Sequence, residues 1–237
     1  MENQLINAYL AKKGFTEDDL YKAQAVFLDN GNLKTNQQYP WLKQVVATEP
    51  LEDGTEIHKT TLDVINGKAF RYHNEGCDAA IFVPLFKLNG EFTGLSIRKM
   101  CDSSKQDSWF VPGTRKIDLL YNLVNAFDTA VMKNSIIITE GVYDTLALVK
   151  YGFANSVALL GTHISNIQFF QLMSMVENVA LCLDNDTAGM EAMNKIVSTY
   201  KNAVTFWKVD IDKDPDEFLA QHGALEFRKR IHKWQTN

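Results

Sequence analysis

Three segments of this sequence carry clustered carboxylates, and each stands directly behind a short apolar run. Residues 136–139 lead into Glu140-Gly-Val-Tyr-Asp144 and residues 179–183 into Asp184-Asn-Asp186-Thr-Ala-Gly189. The run ending at Trp207 is followed by Asp210, Asp212, Asp214, Asp216 and Glu217. Asp184 and Asp186 are two positions apart, so in extended geometry their side chains leave on one side, and Gly189 lets a following helix begin close by. Such a pair suits a hard divalent cation, because Mg2+ prefers oxygen ligands, commonly one or two carboxylates with water and phosphate oxygens completing the shell. Gathered without a cation, carboxylates raise one another's pKa. Each segment also has a plainer reading. An Asp-x-Asp behind a strand can be a turn or a helix cap, Asp144 can cap a helix, and Asp214-Pro215-Asp216-Glu217 can be a solvated turn opening the last helix. The same arrangement in three places favours chemistry.

For these acids to meet, the runs before them must lie side by side. The apolar runs 136–139, 156–160, 179–183 and 203–207 are separated by helix-length segments at 144–151, 164–177 and 187–201. That rhythm predicts an α/β fold with a mainly parallel sheet flanked by helices, whose sites lie beyond the carboxyl ends of the strands. The first half is built differently. Leu5, Ala8 and Tyr9, then Leu20, Ala23, Val26 and Phe27, are spaced for two short helices broken at Gly14, with Thr16 as an N-cap ahead of Glu17, Asp18 and Asp19. Asn30-Gly31, Asp53-Gly54 and Asn66-Gly67 read as turn or hairpin dipeptides, and the runs 80–86 and 92–98 flank Asn89-Gly90 as an antiparallel hairpin. A polar segment at 101–108 and a Pro112-Gly113 turn precede a helix on Leu119, Leu120, Leu123, Val124 and Phe127. The expected organisation is an α+β subdomain over 1–133, then the α/β domain with a short C-terminal helix over 134–237.

Composition narrows the function classes. With 46% apolar residues in 237, the chain has enough apolar surface to offset the ordering entropy of a globular fold. Its 24 Lys and Arg against 29 Asp and Glu give a net charge of −5, so contact with a polyanion must come from a local basic patch; a histone-like binder is excluded. Cys77, Cys101 and Cys182 form no C-x-x-C pair, which argues against a zinc site or a disulfide framework and for reduced cytosolic thiols. No signal-peptide core is present, and no apolar run approaches the roughly 20 residues needed to span a bilayer. A cytoplasmic location without membrane contact is expected.

The order of the acidic segments resembles the Toprim domain, the metal-binding α/β module of primases, topoisomerases, small ribonucleases and recombination proteins. Thr139-Glu-Gly-Val-Tyr-Asp144 matches its glutamate motif, Leu183-Asp-Asn-Asp-Thr-Ala-Gly189 its paired-aspartate motif, and Lys213-Asp-Pro-Asp-Glu217 its third acidic motif. Leu160-Gly161-Thr162 resembles a turn seen in bacterial primases. Upstream, the segments 8–15, 82–86 with the Asn89-Gly90 turn, and 119–123 resemble pieces of the RNA-polymerase domain of DnaG-type primases. The cysteine-rich zinc module and the helicase-binding domain of that family have no counterpart here, and residues 35–75 have no clear match.

The resemblance implies template-directed synthesis of short RNA primers: a ribonucleotide 3′-hydroxyl attacks the α-phosphate of an NTP opposite single-stranded DNA. It assigns Asp184, Asp186, Asp214 and Asp216 as ligands of two or more Mg2+ or Mn2+ ions, with Glu140 as a further ligand or acid–base group and Asp144 in support. Arg98, Lys99, Lys105, Arg115 and Lys116 would contact triphosphate and template, and Trp109 or Phe110 could stack on a base or, more simply, belong to the core. A replicative helicase or a separate template-recognition protein is an expected partner. Arg228, Lys229, Arg230 and Lys233 read as a solvated face of the final helix. Two alternatives remain open: metal-dependent nucleic-acid cleavage by the same carboxylates, and a non-catalytic module binding nucleic acid or a replication protein.

Overall fold

The structure is a computed structural model that describes residues 4–35, 39–101 and 106–234. The chain divides into two units, one of residues 1–85 with 91–114 and the other of residues 86–90 with 115–237.

The first unit opens with α1 (Gln4–Lys12) and α2 (Glu17–Lys22). Thr16 caps α2 as expected: its hydroxyl accepts from the Asp19 amide while the Asp19 carboxylate accepts from the Thr16 amide at 2.8 Å. Val26 and Phe27 do not extend this helix. They belong to β1 (Val26–Asp29), which turns at Asn30-Gly31, both with positive φ, into β2 (Asn32–Lys34). All four residues of β1 are buried, and an apolar run buried on both faces cannot be told from a helix by periodicity. A separate hairpin, β3 (Val45–Pro50) and β4 (Glu56–Thr60), turns at Asp53-Gly54.

Asn66-Gly67 is not a turn. It lies inside α3 (Thr61–Asn74), where Ile65, Ala69 and Tyr72 are buried at helical spacing and Thr60 with Asp63 forms a capping box. Next come β5 (Ala79–Phe86), β6 (Phe92–Lys99) and β7 (Gln106–Phe110), giving a sheet in the order β2-β1-β5-β6-β7. β7 corrects the expected polar loop, and Trp109 stacks on Phe92 at 6.4 Å, which in turn stacks on Trp41 at 5.3 Å. Close strand approach makes Gly94 obligatory, since a Cβ there would lie 2.3 Å from the Trp109 carbonyl oxygen. Gly94→Ala is therefore expected to destabilise this unit by about 2–3 kcal/mol, read as a lowered urea midpoint.

In the second unit α4 (Leu123–Lys133) starts later than the spacing predicted, because Asn122 sits at φ 67° and breaks any helix through Leu119 and Leu120. Then follow β8 (Ser135–Thr139), α5 (Val142–Lys150), β9 (Ser156–Ala158), α6 (Asn166–Met173), β10 (Asn178–Leu181), α7 (Thr187–Tyr200), β11 (Thr205–Val209), α8 (Pro215–Lys229) and β12 (Ile231–Lys233). The sheet order is β9-β8-β10-β11-β12, parallel throughout except for β12. Lys233 thus lies on an antiparallel edge strand, not on the last helix. Ile136, Ile138, Val179, Leu181 and Phe206 pack one face of the sheet against Ala126, Ala130, Phe169, Ile196 and Val197 of three helices. Among the described residues no helix is long and apolar enough to cross a membrane.

Candidate active site

Parallel pairing of β8 with β10 and of β10 with β11 sets three carboxyl ends next to one another, and the three acidic segments follow them. Behind β8 the chain is held by a buried hydroxyl pair, Thr139 Oγ1 to Thr145 Oγ1 at 2.7 Å, with Thr139 also donating to the Gly141 carbonyl at 3.2 Å. This lock fixes the backbone around Glu140. Across the strand pair, Cys182 donates to the Ile138 carbonyl at 2.8 Å, and two residues on the Asp184 amide donates to Glu140 Oε1 at 3.3 Å.

Burial pushes the Glu140 carboxyl up from 4.5 to about 7, and the charges of Asp184, Asp186 and Asp214 push in the same direction. All three acidic segments therefore act on one carboxyl group. Among the described residues, however, no three of the His, Cys, Asp and Glu side chains are gathered closely enough to hold an ion as they stand. The donor set itself fits a hard divalent cation: it is all oxygen, and its mutual repulsion is what a cation would relieve.

The cap reading of the Asp184–Asp186 segment holds at its second aspartate. Asp186 is the N-cap of α7, its Oδ1 accepting from the Gly189 amide at 2.8 Å, while its charge still reaches Glu140. Gly189 brings the first turn of α7 against the strand end, where a Cβ would lie 2.1 Å from the Asp184 carbonyl oxygen. Asp144 is not the cap of α5, a place taken by Gly141; it sits in the first turn, and with Asp184 it helps burial raise the Cys182 thiol. Asp214 is exposed at the N-cap of α8 with Pro215 following. Asp216 is buried, its Oδ1 accepting from the Glu217 amide at 2.7 Å.

The basic candidates fall into different settings. In the first unit Arg98 donates to the Tyr9 hydroxyl at 3.2 Å, and Lys99 lies 5.1 Å from the Tyr72 ring centre and 3.7 Å from Glu75. In the second, Arg115 is exposed and 3.6 Å from Asp118. Lys116 Nζ approaches Gly161, in the turn that ends β9, to 3.8 Å of a Cβ position, which puts an ammonium at the same carboxyl edge as the acids. Leu160 in that turn holds φ 62°, unusual for a branched residue. Lys105 lies outside the described residues. Lys68 and Arg71, 5.9 and 5.1 Å from the Tyr72 ring, join Lys99 there; the capping box at Thr60 is the signal that could have placed them on a helix.

The raised Glu140 pKa fixes the sign of a pH effect. Below pH 4.5 the carboxyl is neutral in folded and unfolded chain alike and costs nothing. As pH rises toward about 7 the unfolded chain releases the proton and the folded one keeps it, so stability falls; above about 7 the loss is complete. Discounted for partial exposure, the loss is on the order of 1–2 kcal/mol. Glu140→Gln is expected to gain that much at pH 8 and nothing at pH 4, and equal gains in urea denaturation at both pH values would contradict the burial of this charge.

Residues 137–219, all within the second unit, match the Toprim-like family model. Over nearly its whole length the chain also resembles the catalytic core of bacterial DNA primases. It is 27% identical over 246 residues to the DNA primase of Mycoplasma pneumoniae, an alignment covering 97% of this chain and 36% of that one. Among solved structures, the zinc-binding and RNA-polymerase domains of the Aquifex aeolicus primase superpose with a TM-score of 0.68 at 19% identity, over 98% of this chain and 57% of that one. A DnaG primase catalytic domain bound to single-stranded DNA gives 0.64 at 20%, over 96% and 73%. These superpositions establish the fold. The chain spans 36% or less of the length of four curated DNA primases that it matches.

Proposed function

We propose that this chain is a primase-type catalytic core that synthesises short RNA primers on single-stranded DNA from NTPs, a DNA-directed nucleotidyl transfer. The observation that carries the reading is the convergence of three separate acidic segments on Glu140, whose carboxyl responds to Asp184, Asp186 and Asp214 together. The kinship with DNA primases along 97% of the chain supports it.

Glu140, Asp184, Asp186 and Asp214 would hold Mg2+ or Mn2+, with Asp144 in support; Asp216 would join only after leaving its buried position. Bound there, divalent cations supply charge neutralisation for the triphosphate and for the attacking and leaving oxygens. The chain's own residues supply the rest. Glu140, its Oε1 held by the Asp184 amide, would take the proton of the attacking 3′-hydroxyl. Lys116 at the β9 turn binds phosphate, and Arg98, Lys99, Lys105 and Arg115 serve NTP or template.

Incubation with single-stranded DNA, labelled NTPs and Mg2+ or Mn2+ tests this. Oligoribonucleotides that require both template and NTPs are expected. Nicking of DNA or RNA without NTPs, in place of synthesis, would make the chain a nuclease instead.

A further inference from the structure

The acids occupy the carboxyl edge of the parallel sheet; a cavity of about 430 Å³ opens at its amino edge, beside the first residues of β8 and β10. The five residues of β8 put roughly 15 Å between the two places. The size falls within the range of small-molecule sites, about 300–1,000 Å³. Its floor is the sheet face turned away from the main core, where Ala180 and the indole of Trp207 lie, and Phe153 forms a wall.

Two features separate this cavity from a packing gap. The polar groups in it are ordered: buried Asn155 donates to the Ser135 carbonyl at 2.8 Å, and Asn178 accepts the Trp207 indole N–H at 3.2 Å, which fixes the plane of the ring. The second feature is charge. Lys133 and Arg228 both line the cavity and no Asp or Glu does, in a chain whose net charge is −5. Among the described residues neither cation has a carboxylate partner. Lys133 Nζ reaches only Asn155 Oδ1 at 3.4 Å, and the Arg228 guanidinium lies 5.4 Å from the Phe153 ring centre.

We propose that this cavity is a second binding site, for a small aromatic anion whose planar ring lies against Trp207 and Phe153 and whose acidic group sits between Lys133 and Arg228. Aromatic faces favour planar rings, and two unpaired cations beside an apolar wall favour a carboxylate or phosphate over a neutral ligand. A nucleoside monophosphate and an aromatic carboxylic acid share this chemistry. The inference stands apart from the polymerase reading, since it concerns the opposite edge of the sheet and its test reads no activity.

The chain has 4 Trp residues, so 5-fluorotryptophan labelling of the full chain gives four fluorine resonances, with Trp207 assigned through Trp207→Phe. Titration with 2-naphthoate and with GMP should shift the Trp207 resonance saturably in at least one case, and which of the two saturates identifies the class of acid. Binding should weaken at least tenfold in Lys133→Gln/Arg228→Gln, and also in Ala180→Leu, which fills the floor. The Trp234 resonance, from a side chain packed against the core of the second unit, reports whether each variant stays folded. The proposal is overturned if neither anion gives a saturable shift at millimolar concentration, if neutral 2-naphthylmethanol binds as tightly, or if both variants bind undiminished.

Discussion

Asp184→Asn is expected to lower template- and NTP-dependent RNA synthesis by about 10³-fold, ~4 kcal/mol of transition-state stabilisation, while the protein becomes no less stable. The two effects have opposite signs for one reason. Asp184 is a charge that raises the Glu140 carboxyl, so neutralising it relieves repulsion in the folded chain. The same substitution removes one oxygen-rich side chain from the proposed cation site, and leaves its backbone amide free to keep its bond to Glu140. Primer gels and thermal denaturation of the same preparation read both. Undiminished synthesis would remove Asp184 from the chemistry; loss of synthesis together with loss of fold would make its role structural.

Gly189→Ala should be the most damaging small change in the second unit. In an ordinary helix Ala is favoured over Gly by about 1 kcal/mol. Here the added Cβ would lie 2.1 Å from the Asp184 carbonyl oxygen and 3.0 Å from its carbon, both backbone atoms that cannot swing aside, and 3.1 Å from Glu140 Oε1. Either α7 or the Asp184 backbone must move, and we expect a loss of about 3 kcal/mol with synthesis abolished. Gly67→Ala in α3 is the control. Nothing lies within 4 Å of its Cβ position and its φ is not positive, so a gain of about 0.5–1 kcal/mol in stability is expected. A neutral Gly189→Ala would show that the strand-to-helix junction is not the tight contact described above.

The contrast between these two glycines also shows where sequence reasoning carries and where it stops. Gly189 stood within a recognisable acidic motif behind an apolar run, and the four parallel strands, the hairpin at Asn89-Gly90 and the cap at Thr16 were likewise readable, because local chemistry and tertiary packing agree at each. Gly67 followed an asparagine, the commonest turn signal, yet burial of Ile65, Ala69 and Tyr72 carried the helix through it. With α3 unread, Lys68 and Arg71 could not be grouped with Lys99 around Tyr72. Val26 and Phe27 were misplaced for a related reason: both faces of β1 are buried, so its pattern has no polar alternation to mark it as a strand. β12 is a short strand whose pairing with β11 spans α8, and β7 begins within a polar stretch. In the site, the types and order of the acids were visible; that Asp216 would be buried, and that Glu140 would be the group on which the other charges act, depends on distances no spacing contains.

Mn2+ binding to the full chain, followed by electron paramagnetic resonance of the free ion, reads whether acids from three segments serve one cation site. Saturable binding is expected, weakened at least tenfold in each of Glu140→Gln, Asp184→Asn and Asp214→Asn taken singly, with thermal denaturation showing each variant folded. Binding of undiminished strength after Asp184→Asn and Asp214→Asn would mean that the segments do not share an ion, and the polymerase reading would fall with it.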